Sequence, residues 1–337
     1  MDIIFTIVSR NYAAQAATLM ESVAAAEPGA RRVVIATDGP IPQLESLVEV
    51  IDFQALDAPH EAMRVYYDAL EFNTSVKPYA FLRLLAEPGV ESVTYLDPDI
   101  YVFRPLERVR QGLERGELVL TPHLTRPLLG DASPNDHAIL KSGVYNLGFC
   151  SVRRTPKVFA LMSWWANRCR FDCRVALKDG LFTDQRWMDL SPGFVDRFEI
   201  VRDPGLNLAY WNLEGRTLAR GADGWTVDGE ALQFFHFSGF DPLRPKVLSK
   251  HQDRIQVEAG TPLAELLSDF AKAMLRNGHE ATHRIPYAHN VFDDGRKVSR
   301  VMRAKALRAG REGEMFPGGL GAATSPWFGA ADPEVTE

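Results

Sequence analysis

Within its first forty residues the chain reads as strand, helix, strand, and that order leaves few folds open. Residues 3–8 (Ile-Ile-Phe-Thr-Ile-Val) form a continuous apolar run of buried-strand length. Ser9, Arg10, Asn11 and Tyr12 follow as a polar turn, and an Ala-rich amphipathic stretch continues to about residue 25. Residues 32–37 (Arg-Val-Val-Ile-Ala-Thr) are a second buried run, closed by Asp38-Gly39-Pro40. Two strands joined through a helix pair in parallel, which predicts an α/β fold around a mainly parallel sheet. Ligands of such sheets sit beyond the carboxyl ends of the strands, so Ser9 to Tyr12, Thr37 and Asp38 are expected on the functional edge.

A second stretch carries the chemistry. Val93 to Leu96 is apolar, Asp97-Pro98-Asp99 interrupts it, and Ile100 to Phe103 is apolar again. Two acids one residue apart between β-branched and aromatic neighbours are costly unless a positive charge meets them. At a strand end both carboxylates can converge on one divalent cation of the Mg²⁺ or Mn²⁺ kind. Asp-Pro-Asp is also ordinary surface-turn chemistry, and these residues alone leave the two readings open.

Composition narrows the classes. With 337 residues there is room for one large α/β domain and an extension, or for two domains. A net charge of −6 argues against a nucleic-acid partner. The first residues enter a strand with no basic leader or cleavage site, and no apolar run approaches membrane-spanning length. Three cysteines (Cys150, Cys169, Cys173) suit a reducing compartment, so a cytoplasmic location is expected. Cys169 and Cys173 have no second Cys/His pair nearby, which makes them core thiols rather than zinc ligands.

Further along, residues 61–70 and 79–86 read as helices, 117–121 as a strand and 124–140 as a long loop of the kind that walls a binding site. Residues 143–152 read as a strand whose glycines invite close backbone approach. A helix is expected over 156–170, a helix start at Asp184-Gln185, and a last strong strand over 232–240. His236 inside that strand is either a satisfied core histidine or the nitrogen ligand that completes an O/O/N metal set. The division expected is a catalytic domain over 1–245 and a mainly helical extension over 246–337, whose last 25 residues look poorly ordered.

Taken together, Asp97-Pro98-Asp99, Asn146-Leu147-Gly148, Asp184-Gln185 and His236 to Gly239, in that order after an N-terminal βαβ, resemble the nucleotide-sugar glycosyltransferases of GT-A fold. They are most similar to the retaining, glycogenin-like family 8 group. The resemblance implies a Rossmann-like mixed, mainly parallel sheet flanked by helices, with a helical C-terminal extension. It implies a Mn²⁺ or Mg²⁺ ion held by Asp97, Asp99 and His236, a nucleotide-sugar donor (a UDP-sugar by preference) and a glycan or other hydroxyl acceptor. It places Thr6, Arg10, Asn11 and Tyr12 at the nucleoside and Lys77 and Arg83 at the diphosphate or sugar. Asn146 falls at the sugar hydroxyls, and Asp97 in reach of the ribose. Asp184 and Gln185 would meet the anomeric carbon, Asp184 as nucleophile or as charge stabiliser; the bland reading of Asp184 is a helix cap. The family's Lys-Pro-Trp after His-x-x-Gly is missing here: Phe240-Asp241-Pro242 follows Gly239, and Lys250 is the substitute expected to clamp the diphosphate.

Two other functions compete. A sugar-phosphate nucleotidyltransferase needs a Gly-rich basic loop after strand one, and Ser9 to Tyr12 holds no glycine. A non-catalytic nucleotide-sugar-binding module would bind without turnover. The basic segment 296–311, with seven Lys or Arg, fits either a solvated helix face or a peripheral contact with anionic lipid at the inner membrane face.

Overall fold

A computed structural model describes residues 1–314, 318–321 and 324–329. The chain opens with β1 (Asp2–Val8), α1 (Ala13–Ala26), β2 (Arg31–Ala36) and β3 (Glu49–Asp52). Then come α2 (His60–Tyr66), α3 (Ala69–Ser75), α4 (Lys77–Leu85), β4 (Ser92–Leu96), β5 (Ile100–Val102), α5 (Glu107–Arg115) and β6 (Leu118–Leu120). The middle holds α6 (Asp136–Ser142), β7 (Phe149–Arg153), α7 (Pro156–Asp172), the short pair β8 (Val175–Ala176) and β9 (Leu181–Phe182), and β10 (Phe198–Ile200). A three-stranded antiparallel ribbon, β11 (Leu218–Gly221), β12 (Gly224–Val227) and β13 (Glu230–Ala231), precedes β14 (Phe234–His236). Helices α8 (Pro262–Arg276), α9 (His279–Thr282) and α10 (Arg300–Glu312) finish the chain's main elements.

The central sheet has seven strands in the order β10-β6-β7-β4-β1-β2-β3. Every pairing in it is parallel except the two made by β7. The expected mixed, mainly parallel sheet flanked by helices is therefore present. Strand alternation explains the layers: Ile3, Phe5 and Ile7 of β1 enter the core under α4 and α7, while Ile4 and Val8 enter the core under α1. A third core gathers Phe235, Phe237 and Leu248 with Phe270 of α8, where the Phe237 and Phe270 rings stack at 3.7 Å.

Several sequence expectations are corrected here. The strand expected over 143–152 begins only at Phe149, because Asn146, Leu147 and Gly148 form a turn in front of it. The helix expected over 61–70 is split at Tyr67 and Asp68, where Asp68 and Glu71 make a capping box that starts α3. The last strand is short, and it pairs antiparallel with β5 outside the main sheet. Residues 185–193 after Asp184 are 3₁₀-helical, with Pro192 inside. Asp38 and Thr37 do not line an open edge: Ala288 N–H donates to Asp38 and His289 Nε2 meets the Thr37 carbonyl at 2.7 Å.

Residues beyond 245 build no separate core among the described residues. Tyr287, Phe292, Val298 and Met302 join the core under α4 and α7, and α8 shares the third core with residues 208–248. In the basic segment, Arg303 is buried and donates to the carbonyls of Val65, Tyr67 and His289. Arg311 pairs with Asp172, and Arg296 donates to the carbonyls of Ser325 and Gly329. Within the final 25 residues, Leu320 and Phe328 are buried; those at 315–317, 322–323 and 330–337 lie outside the described residues. No helix of the described residues is long and apolar enough to cross a membrane.

Candidate active site

Asp97 and Asp99 flank the turn between β4 and β5, held by Asp97 N–H on the Gly148 carbonyl (2.8 Å) and Ile100 N–H on the Asp97 carbonyl (3.0 Å). Because β5 and β14 pair with Ile100 opposite His236, the imidazole arrives beside the acids. His236 Nε2 lies 3.0 Å from Asp99 Oδ1 and 3.6 Å from Asp97 Oδ2. One ligating atom from each of the three residues falls within 4.8 Å of the others. Burial pushes the Asp97 carboxyl above its ordinary value against the pull of Lys77 and His236. Burial alone would push the His236 imidazole down, but Asp99 and Asp97 outweigh it and hold it above its ordinary value.

This donor set fits a hard or borderline divalent cation: two carboxylates and one imidazole with their ligating atoms converging on one point. The backbone is cut to suit. A Cβ on Gly148 would stand 2.4 Å from His236 Cε1, 2.7 Å from Asp97 Oδ2 and 2.8 Å from Asn146 Oδ1, so only glycine allows the cluster to close.

On one side of the cluster a cleft of about 360 Å³ is lined by Lys77, Asp97, Asn146, Asp184, Gln185 and His236, among others. Lys77 opens α4 and is fully buried, with Nζ 2.7 Å from Asp184 Oδ2 and 2.9 Å from the Leu147 carbonyl. Its ammonium also lies 4.3 Å from the centre of the Tyr95 ring, whose hydroxyl donates to Asp97 at 2.6 Å. Burial would push Lys77 down, but Asp184 and Asp97 overcome it and raise it. Asp184 makes no side-chain cap on the 3₁₀ stretch, which removes the bland reading of it. The preceding Thr183 sits at φ +50°, a strained conformation for a β-branched residue, and its hydroxyl donates to Asp184. Gln185 is occupied at both amide ends: Oε1 accepts from Leu147 N–H at 2.9 Å and Nε2 donates to the Ser142 carbonyl at 2.8 Å.

On the other side a second cavity, about 350 Å³, is lined by Asn11, Tyr12, Asp99, Gly239 and Lys250. Gly239 has φ +72° and a Cβ there would stand 2.6 Å from Ser249 Oγ, which lets the 249–251 segment close over it. Four expected site residues fall elsewhere or are used differently. Thr6 is wholly buried in β1 and lines neither cavity. Arg10 is turned onto Asp38 and the Pro286 carbonyl. Arg83 pairs with Glu87 at the edge where the strands begin. Asn146 lines the cleft, but its amide is bound to His123 and Asn207.

Residues that sequence reasoning passed over complete the site. Asn207, in the left-handed region at φ +54°, accepts from His236 Nδ1, and the Trp211 ring meets His236 edge-on at 5.1 Å. In the sequence, residues 207–212 are only a run of polar and aromatic residues with no motif among them. Arg254, buried to 3 % side-chain exposure, donates to the carbonyls of Leu129, Ala132 and Pro134 and fixes the loop that walls the cleft.

No family model matches the chain. Two curated relatives, both from Bacillus subtilis (strain 168), are the uncharacterized proteins YfnF, 28% identical over 183 residues (51% of this chain, 58% of the relative), and YfnD, 25% identical over 179 residues (52% and 56%). The chain thus spans a little over half the length of these relatives. Among solved structures, the galactosyltransferase LgtC in complex with donor and acceptor sugar analogs is similar at 19% identity and a TM-score of 0.46, over 81% of this chain and 96% of that one. The glycosyltransferase GlyE of Streptococcus pneumoniae TIGR4 is similar at 12% identity and a TM-score of 0.47, over 86% of this chain and 66% of that one.

Proposed function

We propose that the chain is a metal-dependent glycosyltransferase. It moves a hexose from a nucleotide-sugar, a UDP-sugar by the family resemblance, to a hydroxyl acceptor on a glycan, with retention. One observation carries this reading: Asp97, Asp99 and His236 converge where a parallel-sheet strand ends, between the second cavity and a cleft whose wall holds the buried Lys77–Asp184 pair.

Asp97, Asp99 and His236 would hold a Mn²⁺ or Mg²⁺ ion, which when bound supplies Lewis-acid stabilisation to the leaving diphosphate. Lys250 and Tyr12, on the second cavity, serve the nucleotide half of the donor. The sugar half lies in the cleft against Asp184. The carboxylate of Asp184 is already matched by a buried ammonium, which weakens it as a nucleophile and suits it to balance positive charge growing at the anomeric carbon. Retention then follows by same-face substitution. Gln185, tied to Ser142 and Leu147, keeps the cleft's shape.

A panel of nucleotide-sugars assayed for hydrolysis and transfer with Mn²⁺ or Mg²⁺ tests this. Turnover of at least one donor is expected, and Asp99→Ala should lower it about 10²–10³-fold, the usual effect of removing one preorganised charge. A wild-type rate in Asp99→Ala with Mn²⁺ present would sink the reading. Metal-dependent binding of UDP with no turnover of any donor would make the chain a binding module.

A further inference from the structure

Behind His236 runs a chain of buried hydrogen bonds that ends on a backbone carbonyl. The Gly143 carbonyl can only accept, and His123 Nδ1 stands 2.9 Å from it, so Nδ1 carries the hydrogen. Burial pushes His123 down to about 4, so at neutral pH its imidazole is neutral and Nε2 must accept. The partner of Nε2 is Asn146 Nδ2 at 3.2 Å, which turns Asn146 Oδ1 toward Asn207. Asn207 Nδ2 donates to that oxygen at 3.0 Å and to Thr121 Oγ1 at 2.8 Å. Asn207 Oδ1 is left facing His236 Nδ1 at 3.3 Å and can only accept. Each link fixes the direction of the next. The outcome is hydrogen on His236 Nδ1, so Nε2, the atom that faces Asp97 and Asp99, is the one left to lend a lone pair to a cation.

We propose that Asn207, Asn146 and His123 are positioning residues for the metal centre: they act as a directional relay that presents His236 Nε2 to the cation. The relay explains two features otherwise unaccounted for. Asn207 takes a left-handed backbone, with its own carbonyl held by Asn212 Nδ2 at 3.1 Å, a conformation that aims its amide at the imidazole. Asn146, in the cleft yet barely exposed, has both ends of its amide bound and so serves the histidine rather than a substrate hydroxyl. Partners of this kind fix the tautomer and orientation of metal-bound histidines.

The proposal rests on the metal reading above for its purpose, but it can be tested apart from it. The full-length chain with ¹⁵N-labelled histidine reports the tautomer of His236 directly, on the alkaline side of that residue's titration. Wild type should carry the hydrogen on Nδ1. Asn207→Gly removes the acceptor while tolerating the positive φ, and should shift the population toward Nε2–H. Asn207→Asp keeps an acceptor and should keep the wild-type tautomer. Mn²⁺ titration without nucleotide should show affinity about 10–100-fold lower in Asn207→Gly and close to wild type in Asn207→Asp. If Asn207→Gly does not fold, His123→Leu, three hydrogen bonds from His236, should move the tautomer and the affinity in the same direction. A wild-type Nε2–H tautomer, or one unmoved in the variants, overturns the relay. Absence of Mn²⁺ binding in wild type overturns the metal reading instead, and the tautomer alone then decides the relay.

Discussion

Two buried residues show how firmly the site is tied to stability. Lys77 and Asp184 are each about 2 % exposed and face each other at 2.7 Å. Removing one partner of such a pair leaves a charge with no counter-ion, which costs about 3–5 kcal/mol, whereas replacing both is far milder. Lys77→Met should therefore lower urea-unfolding stability by about that amount, and Lys77→Met with Asp184→Asn should recover most of it. Equal losses in the single and double variants would show that the pair is not coupled. His123 gives a second prediction, in the same pH sense as a carboxylate held low by a salt bridge. Its folded value of about 4 lies below the ordinary 6.5, so between those values the unfolded chain binds more protons. Stability from this group is complete above pH 6.5 and lost as pH falls toward about 4, a change of about 3 kcal/mol. In His123→Gln, which keeps a donor and an acceptor but does not titrate, unfolding measured across that range should lose this part of the slope. An unchanged slope would place the acid sensitivity elsewhere.

Among the elements, those with strong local patterns were legible in the sequence and those set by distant partners were not. The apolar runs of β1, β2 and β4 and the Ala-rich α1 announce themselves, and so does the acid pair that breaks β4 from β5. The turn at Asn146 to Gly148 did not, because its backbone is shaped by Asp97, His236 and Asn207, all distant in sequence. Asn207 itself resembles any loop asparagine until β14 carries His236 alongside it. Arg83 read as a donor contact because its helix begins at Lys77, yet the same helix carries it two turns away to Glu87. The loop expected over 124–140 ends in α6 and walls the cleft as foreseen, but what holds it, Arg254, lies over a hundred residues later. Arg254→Ala should free this loop locally. Losing even one charge-assisted hydrogen bond of about 1.5 kcal/mol raises the open fraction roughly tenfold. Chymotrypsin should then cut after Leu129, which is 79 % exposed, at least about tenfold faster than in wild type. Equal cleavage rates would mean that other contacts hold the wall.

At the scale of the whole molecule, the stretch after residue 245 packs against the elements that carry the site. The sequence suggests an appendage there, since helical and basic character begins after the motif that carries His236. In the fold this extension shares its cores with the rest of the chain. Leu248, Leu266, Leu267, Phe270 and Met274 fill the third core against Phe235 and Phe237, which flank His236 on its strand. Phe292, Val298 and Met302 fill the core beneath the sheet, and Arg303 stitches α10 to the C-terminal end of α2 through backbone carbonyls. Burying each of these large apolar side chains contributes about 1.5–3 kcal/mol. Together they match or exceed the ~5–15 kcal/mol by which a whole domain is stable. A chain ending at residue 245 should therefore lack a cooperative unfolding transition and the near-ultraviolet signal of packed tryptophans, and should bind no Mn²⁺. The sharper comparison is Phe270→Ala in the full chain. It removes the ring stacked at 3.7 Å on Phe237, and with it about 3–5 kcal/mol. If the extension merely decorates a finished domain, the truncated chain will unfold cooperatively with wild-type metal affinity and Phe270→Ala will leave the midpoint unmoved. If it is part of the same fold, truncation abolishes the transition and Phe270→Ala lowers its midpoint while leaving the three metal ligands in place.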